Sequence, residues 1–490
     1  ASPLASPDDR APVVVGAGQV TVRPGEPALE PVELMAEALR RAAADSGAPG
    51  ILDAAQSVRV VALLSRRYGD PAALVASSLG LGDVQTVLTT DGGNSPSSLL
   101  GRTSQQIADG ELEVALLCGG EAWATRTAAR RAGTELDWMT QPDGVEPDVV
   151  LGSPLDMWHP AESALDIKQP VEVYPLFEQA RRARLGRTDE EHRVVLGALW
   201  SRMSQVAATN PDAWLRTPVS AEEIVTPSPG NRMVSWPYTK LLCSNEQVDQ
   251  GAGLIVCSVA AARRLGIPSD RWVFPVATAE AKDVHVSERW DLATSPMVGA
   301  AGRLLWSMAG VGPDDVGLLD LYSCFPAAVE VQAAELGIGL DRDLTVTGGM
   351  RFFGGPWNDY PMHAFVTMVQ RLRAEGGLGL VTGNGGYITK QAATLLSAAP
   401  PVEPFRLASA QAEVDALPTR GVAGEGTGVV ETFTVSHDRN GPTRGVVAAL
   451  LPDERRCWGL VTEPAAKVDL LSSDPIGQSV TITAGAAHLS

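Results

Sequence analysis

Two stretches of this chain share one order of elements, and that order restricts the fold more than any other feature. In the first, an apolar run from Val84 to Thr90 enters the turn Asp91-Gly92-Gly93-Asn94-Ser95. A helix-patterned segment follows from Leu99 to Gly110, and a second apolar run, Val114 to Cys118, ends in Gly119-Gly120. In the second stretch, Gly354-Gly355 opens a helical run that ends at Glu375-Gly376, and Leu378 to Val381 leads into Asn384-Gly385-Gly386. The helix-end glycines and the strand-end glycine pairs are both 266 residues apart (376 − 110 and 385 − 119). Glycine is common here, with 49 residues, but the shared apolar pattern between the pairs argues for a duplicated α/β unit. Strand, tight glycine turn and helix present a reactive or binding group at a helix N-terminus.

A chain of 490 residues has room for several cores. Its net charge of −19 argues against a surface that tracks nucleic-acid phosphates. No apolar run reaches the length of about 18 residues that a membrane span needs. Cys118, Cys243, Cys257, Cys324 and Cys457 show no CxxC spacing, so neither a metal site nor a disulfide framework is expected, and the setting reads as a reducing cytoplasm. Ala1 to Arg10 read as a frayed tail without a signal pattern. Val13-Val14-Val15 and Gly16-Ala17-Gly18 form a first strand and turn, but Thr21 stands where a dinucleotide fingerprint needs a third glycine. Pro31 to Ala44 alternates as a helix lying on a sheet, with Leu34, Met35, Ala38, Leu39 and Ala42 on one face.

Between the two similar stretches lies a less regular segment, from Ala122 to about Trp236, with one apparent helix from Pro175 to Arg187. It is too long for a loop and reads as an inserted subdomain. Past Ala399-Pro400-Pro401 the pattern changes to strands, Val429 to Ser436, Gly445 to Leu451, Cys457 to Thr462 and Ser479 to Thr483, with Asn440-Gly441 as a hairpin turn. These predict a small antiparallel β-barrel.

The layout resembles that of the thiolase superfamily. The C-terminal addition looks like the extra barrel of thiolase-like proteins of type 1, in the branch related to sterol-carrier thiolases. The resemblance implies an α/β fold of duplicated thiolase-like halves in layers, with the active site where their loops meet. The N-terminal half is expected at residues 11–121 and 237–270, and the inserted loop subdomain at 122–236. The C-terminal half is expected at 271–400, and the additional barrel at 410–490.

The resemblance also locates four catalytic positions, each with an altered residue. The acylated cysteine aligns with Gly93, and the histidine of the glycine-histidine-proline turn with Gly355. The second cysteine falls on Thr382 or Gly383, ahead of Asn384, and the oxyanion motif on Tyr322-Ser323-Cys324-Phe325. A glycine cannot be acylated, so ordinary acetyltransferase chemistry is not expected. Tyr322 could donate a hydrogen bond or move a proton, and His363 is the histidine best placed as a relocated base. Gly93, Asn94, Ser95, Cys324, Gly355 and Asn384 are expected to line the substrate site, with Asn94 and Ser95 also suited to capping a helix. Glycine at 93 and 355 is expected to widen the cleft. The arginines at 181, 182, 184, 187 and 193 could meet coenzyme A phosphates, or be salt-bridged to the acids among them.

These positions imply an acyl-CoA thioester as ligand, no covalently bound cofactor and no metal, in a chain that is either a homodimer or a monomer. Three functions compete: a thioester-binding protein of lipid metabolism, a carbon–carbon lyase acting by retro-aldol cleavage, and an interaction protein that keeps only the fold.

Overall fold

The computed structural model describes residues 7–154 and 157–489. The tail reading of Ala1–Arg10 therefore lies outside the described residues for 1–6, while residues 7–10 are tied down. Arg263 pairs with Asp9, and the Ala260 N–H donates to Asp9 O at 2.9 Å.

The duplication predicted from the glycine spacing appears as two sheets of one topology. One sheet runs Pro12–Thr21, Asp249–Ser258, Val114–Ala122, Ser57–Val60, Gln85–Thr89, Val149–Leu151. The first three strands pair antiparallel and the rest parallel. The other sheet runs Leu318–Asp320, Leu378–Gly385, Lys390–Ser397, Phe274–Lys282, Arg406–Ser409. Read from Phe274–Lys282 inward, it repeats the same senses, antiparallel, antiparallel, parallel. These strands read as continuous apolar runs because both faces are covered.

Two helices, Ser95–Ala108 and Tyr360–Glu375, lie between the sheets and touch both. Leu99, Leu100 and Ile107 of the first share a core with Met362, Phe365, Val369 and Leu372 of the second. Burying each such side chain contributes about 1.5–3 kcal/mol. The same helix carries buried Ser97, Thr103 and Ser104, whose small volume lets it fit between two sheets. At Gly101 the approach is close, since a Cβ there would lie 2.9 Å from the Thr278 side chain. Pro31–Ser46 covers the outside of the first sheet and Pro296–Ala309 the outside of the second, with Pro326–Leu336 packed against Pro296–Ala309.

The inserted segment holds more helix than its sequence suggested. Pro170–Arg184 begins five residues earlier than expected, with Pro175 inside it, because Pro170 already supplies the preset φ of a first turn. Asp189–Thr209 is a further helix of 21 residues, closed at its start by a reciprocal Thr188–Glu191 capping box.

The C-terminal strands are found as predicted, with an additional helix, Pro464–Ser472, and a last strand, Ala486–Leu489. The sheet is mixed rather than wholly antiparallel: Val422–Ala423 pairs parallel with Arg456–Val461, and one parallel pair, Leu460 with Ala486, brings the ladder back towards Gly426–Asp438. Arg456, fully buried, anchors this sheet. Its guanidinium donates to Glu431 at 2.7 and 2.8 Å and to the carbonyls of Val286, Ser287 and Arg289. Removing one partner of such a buried pair costs roughly 3–5 kcal/mol. Arg456→Ala should lower the thermal unfolding midpoint by several degrees in scanning calorimetry; an unchanged midpoint would show that the sheet is held by other contacts.

Candidate functional site

The ends of the two duplicated units meet at one cavity of about 930 Å³. Gly93, Tyr322, Cys324, Gly355 and Asn384 all line it, and so does Tyr174 from the inserted segment. Local folding explains each placement. The Asp91–Gly93 turn is clamped by Asn358, whose Oδ1 accepts from Gly92 N–H at 3.1 Å while its amide donates to Ala62 O and Asp91. Tyr322 is held by Thr382, whose Oγ1 accepts from Tyr322 N–H at 2.9 Å and donates to Gln332 Oε1 at 2.6 Å. Gln332 in turn donates to Tyr322 O at 2.9 Å. Asp320, fully buried, accepts from Thr345, Val346, Thr347 and the Tyr360 hydroxyl, and the Tyr360 ring packs edge-on against Tyr322. Burial raises the Asp320 carboxyl, and these hydrogen bonds lower it.

The expected widening at position 93 is not found. A Cβ on Gly93 would lie 2.3 Å from the Tyr322 hydroxyl and 2.5 Å from Asn384 O, so the tyrosine occupies the volume that any side chain at position 93 would need. At Gly355, the carbonyls of Met350 and Asn245 stand 3.3 and 3.4 Å from the place of a Cβ. Trp357 lies on the cavity wall against Trp123, and Phe353 is packed on Tyr360 and His363, so neither fills the space.

The remaining expected residues lie elsewhere. Asn94 and Ser95 line a separate small cleft of about 150 Å³. Asn94 occupies the cap position with helical backbone and makes no capping bond, and the Ser95 hydroxyl donates to Thr90 O at 2.8 Å. His363 is fully buried on the central helix, with Nδ1 2.9 Å from Gln19 Oε1, and does not line the cavity. Desolvation pushes its pKa down to about 3, which leaves it neutral. The arginine cluster is paired internally: Arg181 and Arg187 with Glu330, Arg182 with Asp189 and Asp474, Arg184 with Asp291. Arg193 donates to Val225 O. None of them lines the cavity.

Around Gly93 the wall presents neutral groups. Burial holds the Tyr322 phenol well above its usual range and pushes the Cys324 thiol up to about 12. Tyr174, which the sequence did not single out, donates to Gly386 O at 2.9 Å and accepts from the Asn384 amide at 3.0 Å, with its ring stacked on Phe325. The Tyr322 hydroxyl makes no hydrogen bond to any described residue, and Asn384 Oδ1 is buried without a donor. The wall therefore offers a phenolic donor and an amide oxygen to a bound polar group. The Glu178, His192 and Glu330 side chains also cluster, but Tyr238, Arg181 and Arg187 already satisfy them.

Two sheets of one topology, packed across two shared helices with a cavity at the strand ends, define the thiolase fold. The chain is 32% identical to a monomeric SCP2-thiolase-like protein type 1 from Mycobacterium smegmatis, with a TM-score of 0.83 over 99% of this chain and 100% of that one. It belongs to that family. Residues 409–485 match the family described as the thiolase-like protein type 1 additional C-terminal domain. A benzoylsuccinyl-CoA thiolase subunit of Thauera aromatica is 29% identical over 127 residues, 25% of this chain and 30% of that protein, so the chain spans under a third of this curated relative. An Ltp2–ChsH2(DUF35) aldolase shares the fold at 20% identity, with a TM-score of 0.59 over 79% of this chain and 98% of the other.

Two outcomes follow from this geometry. Gly93→Ala should destabilise the chain by about 1–3 kcal/mol, and adding Tyr322→Phe should recover only part, because the Asn384 carbonyl stays. Equal unfolding midpoints for wild type and Gly93→Ala would mean that the turn has slack. Secondly, Cys243, Cys257 and Cys324 are all held near a pKa of about 12 by burial. At pH 8 only about one in ten thousand of each is thiolate, so iodoacetamide should label them in unfolded but not in native protein.

Proposed function

We propose that this chain binds a coenzyme A thioester in the cavity and does not carry out thiolysis through a covalent cysteine. The observation that carries this reading is the Tyr322 hydroxyl, which stands where a side chain at position 93 would project and is left without a protein partner. A hydroxyl there donates to a thioester carbonyl or a β-hydroxyl and forms no bond to carbon. Cys324 sits on the same wall, but a thiol held near a pKa of about 12 is a poor nucleophile at neutral pH. Exposed Arg131 and Lys240 on the cavity lining suit the phosphates of coenzyme A. Kinship with acyl-CoA enzymes of the thiolase fold supports the same ligand class.

The lyase reading is weaker. Retro-aldol cleavage needs a base for the β-hydroxyl proton, whereas burial keeps the Tyr322 proton in place and His363 lies outside the cavity. The interaction-protein reading gains nothing from a cavity of this volume left open beside Trp357.

Acetoacetyl-CoA thiolysis should stay at background in wild type and in Cys324→Ser; a robust rate lost on that substitution would make Cys324 the nucleophile and end this proposal. Calorimetry should find binding of coenzyme A and of a long-chain acyl-CoA. Tyr322→Phe should weaken only the acyl-CoA, by roughly fivefold for one lost hydrogen bond. Since the Tyr322 and Cys324 groups stay protonated up to pH 9, affinity should be flat between pH 7 and 9. No binding of either compound at millimolar concentration would refute the reading.

A further inference from the structure

Arg351 stands in Gly348-Gly349-Met350-Arg351-Phe352-Phe353-Gly354-Gly355, a single charge in a run of glycines and apolar residues. It belongs to the short helix Gly349–Phe352, whose Met350 and Arg351 line the cavity. There the Met350 N–H donates to Ser323 Oγ at 3.0 Å, next to Tyr322 and Cys324, and Met350 O accepts from Asn245 N–H at 3.0 Å. Arg351 is 9% exposed and lines the cavity. Its Nε is buried without an acceptor, and among the described residues none forms a hydrogen bond or an ion pair with its guanidinium.

Other buried arginines of the chain do not share this condition. Arg181 pairs with Glu330, Arg289 with Asp283 and Arg456 with Glu431. Arg59, which has no carboxylate partner, still donates to Ser57 and Thr103. A buried cation is costly unless it is paired and hydrogen-bonded, and a guanidinium presents a planar fork that matches a carboxylate. The groups facing Arg351 leave that fork open. Cys243 is a thiol held neutral by burial, and Glu246, the acid that acts on Arg351 from its own stretch of wall, makes no ion pair with it. Arg131 and Lys240, the other cations on the lining, are exposed, so phosphates have partners nearer to solvent.

We propose that Arg351 receives the carboxylate of an acidic acyl chain, so that the ligand class of this site is an acyl-CoA bearing a second, free carboxylate. The thioester part of this inference rests on the function proposed above; the pairing of guanidinium and carboxylate does not. Succinyl-CoA and butyryl-CoA have acyl groups of four carbons and differ in a carboxylate against a methyl. Wild type should bind succinyl-CoA at least about tenfold tighter, the scale of a charge-assisted hydrogen-bond pair. Arg351→Gln should bring that ratio to about one with the affinity for coenzyme A unchanged, and Arg351→Lys should keep part of the preference. A ratio near one in wild type would overturn the proposal. So would an Arg351→Gln chain that loses affinity for coenzyme A and both thioesters equally, since the guanidinium would then hold a phosphate. If wild type binds no coenzyme A compound, the function above falls and glutarate alone decides the present point. Saturable thermal stabilisation by glutarate of wild type but not of Arg351→Gln would uphold the carboxylate site, and no stabilisation of wild type would refute it.

Discussion

The centre of this molecule depends on chain reversals that approach to backbone contact. A Cβ on Gly383 would lie 2.8 Å from Gly93 O, and one on Gly385 would lie 3.3 Å from Gly92 Cα and 2.4 Å from Asn94 Oδ1. Turns can meet so closely only where side chains are missing. That contact sets how the two sheets face each other, which fixes the slot for the two central helices. It also brings the turn carrying Tyr322 over Gly93. The same glycines that mark the duplication in the sequence thus build the meeting point of its two halves.

The C-terminal strands contribute to the cavity without lining it; among the described residues only Val234, of the strand Met233–Ser235 that pairs with Gly426–Asp438, reaches the lining from this sheet. Thr432 donates to Leu176 O, and Arg444 holds both oxygens of Glu172 while also reaching the carbonyls of Leu165 and Asp166. These contacts brace the Pro170–Arg184 helix from behind, and that helix carries Tyr174 over Asn384. In this chain the additional domain therefore has a mechanical connection to the site, running through one helix.

Much of the architecture was legible because it is written in periodicity and glycine spacing. The Pro31–Ser46 helix, the strands that flank the glycine turns of both halves and four strands of the C-terminal sheet follow from apolar pattern alone, whereas Ser57–Val60, Phe274–Lys282 and Lys390–Ser397 are not read from it. The Asp189–Thr209 helix was missed although its Thr188–Glu191 box is a legible start signal. The less regular, proline-rich surroundings masked it. Site residues were harder to read. Gly93, Tyr322, Cys324, Gly355 and Asn384 came from motif position, which the fold converts into proximity. His363 lies near a matched turn in sequence, yet a helix face, not chain distance, decides that it meets Gln19. Tyr174 carries no sequence signal at all. Arg351 does carry one, as a lone charge between two glycine pairs.

The strand Val149–Leu151 lies at the border of the first sheet, beside Gln85–Thr89, and its register covers Val87 to Thr89. It is three residues long, and Gly152 follows in the left-handed region at φ 102°. A long open border invites strand addition from another chain, and short bent strands are one way natural sheets discourage it. By spending part of its own insertion on this border, the chain leaves a neighbour only three residues to pair with there. Copies that met at this border would have to be held by side-chain surfaces rather than by a continuous sheet.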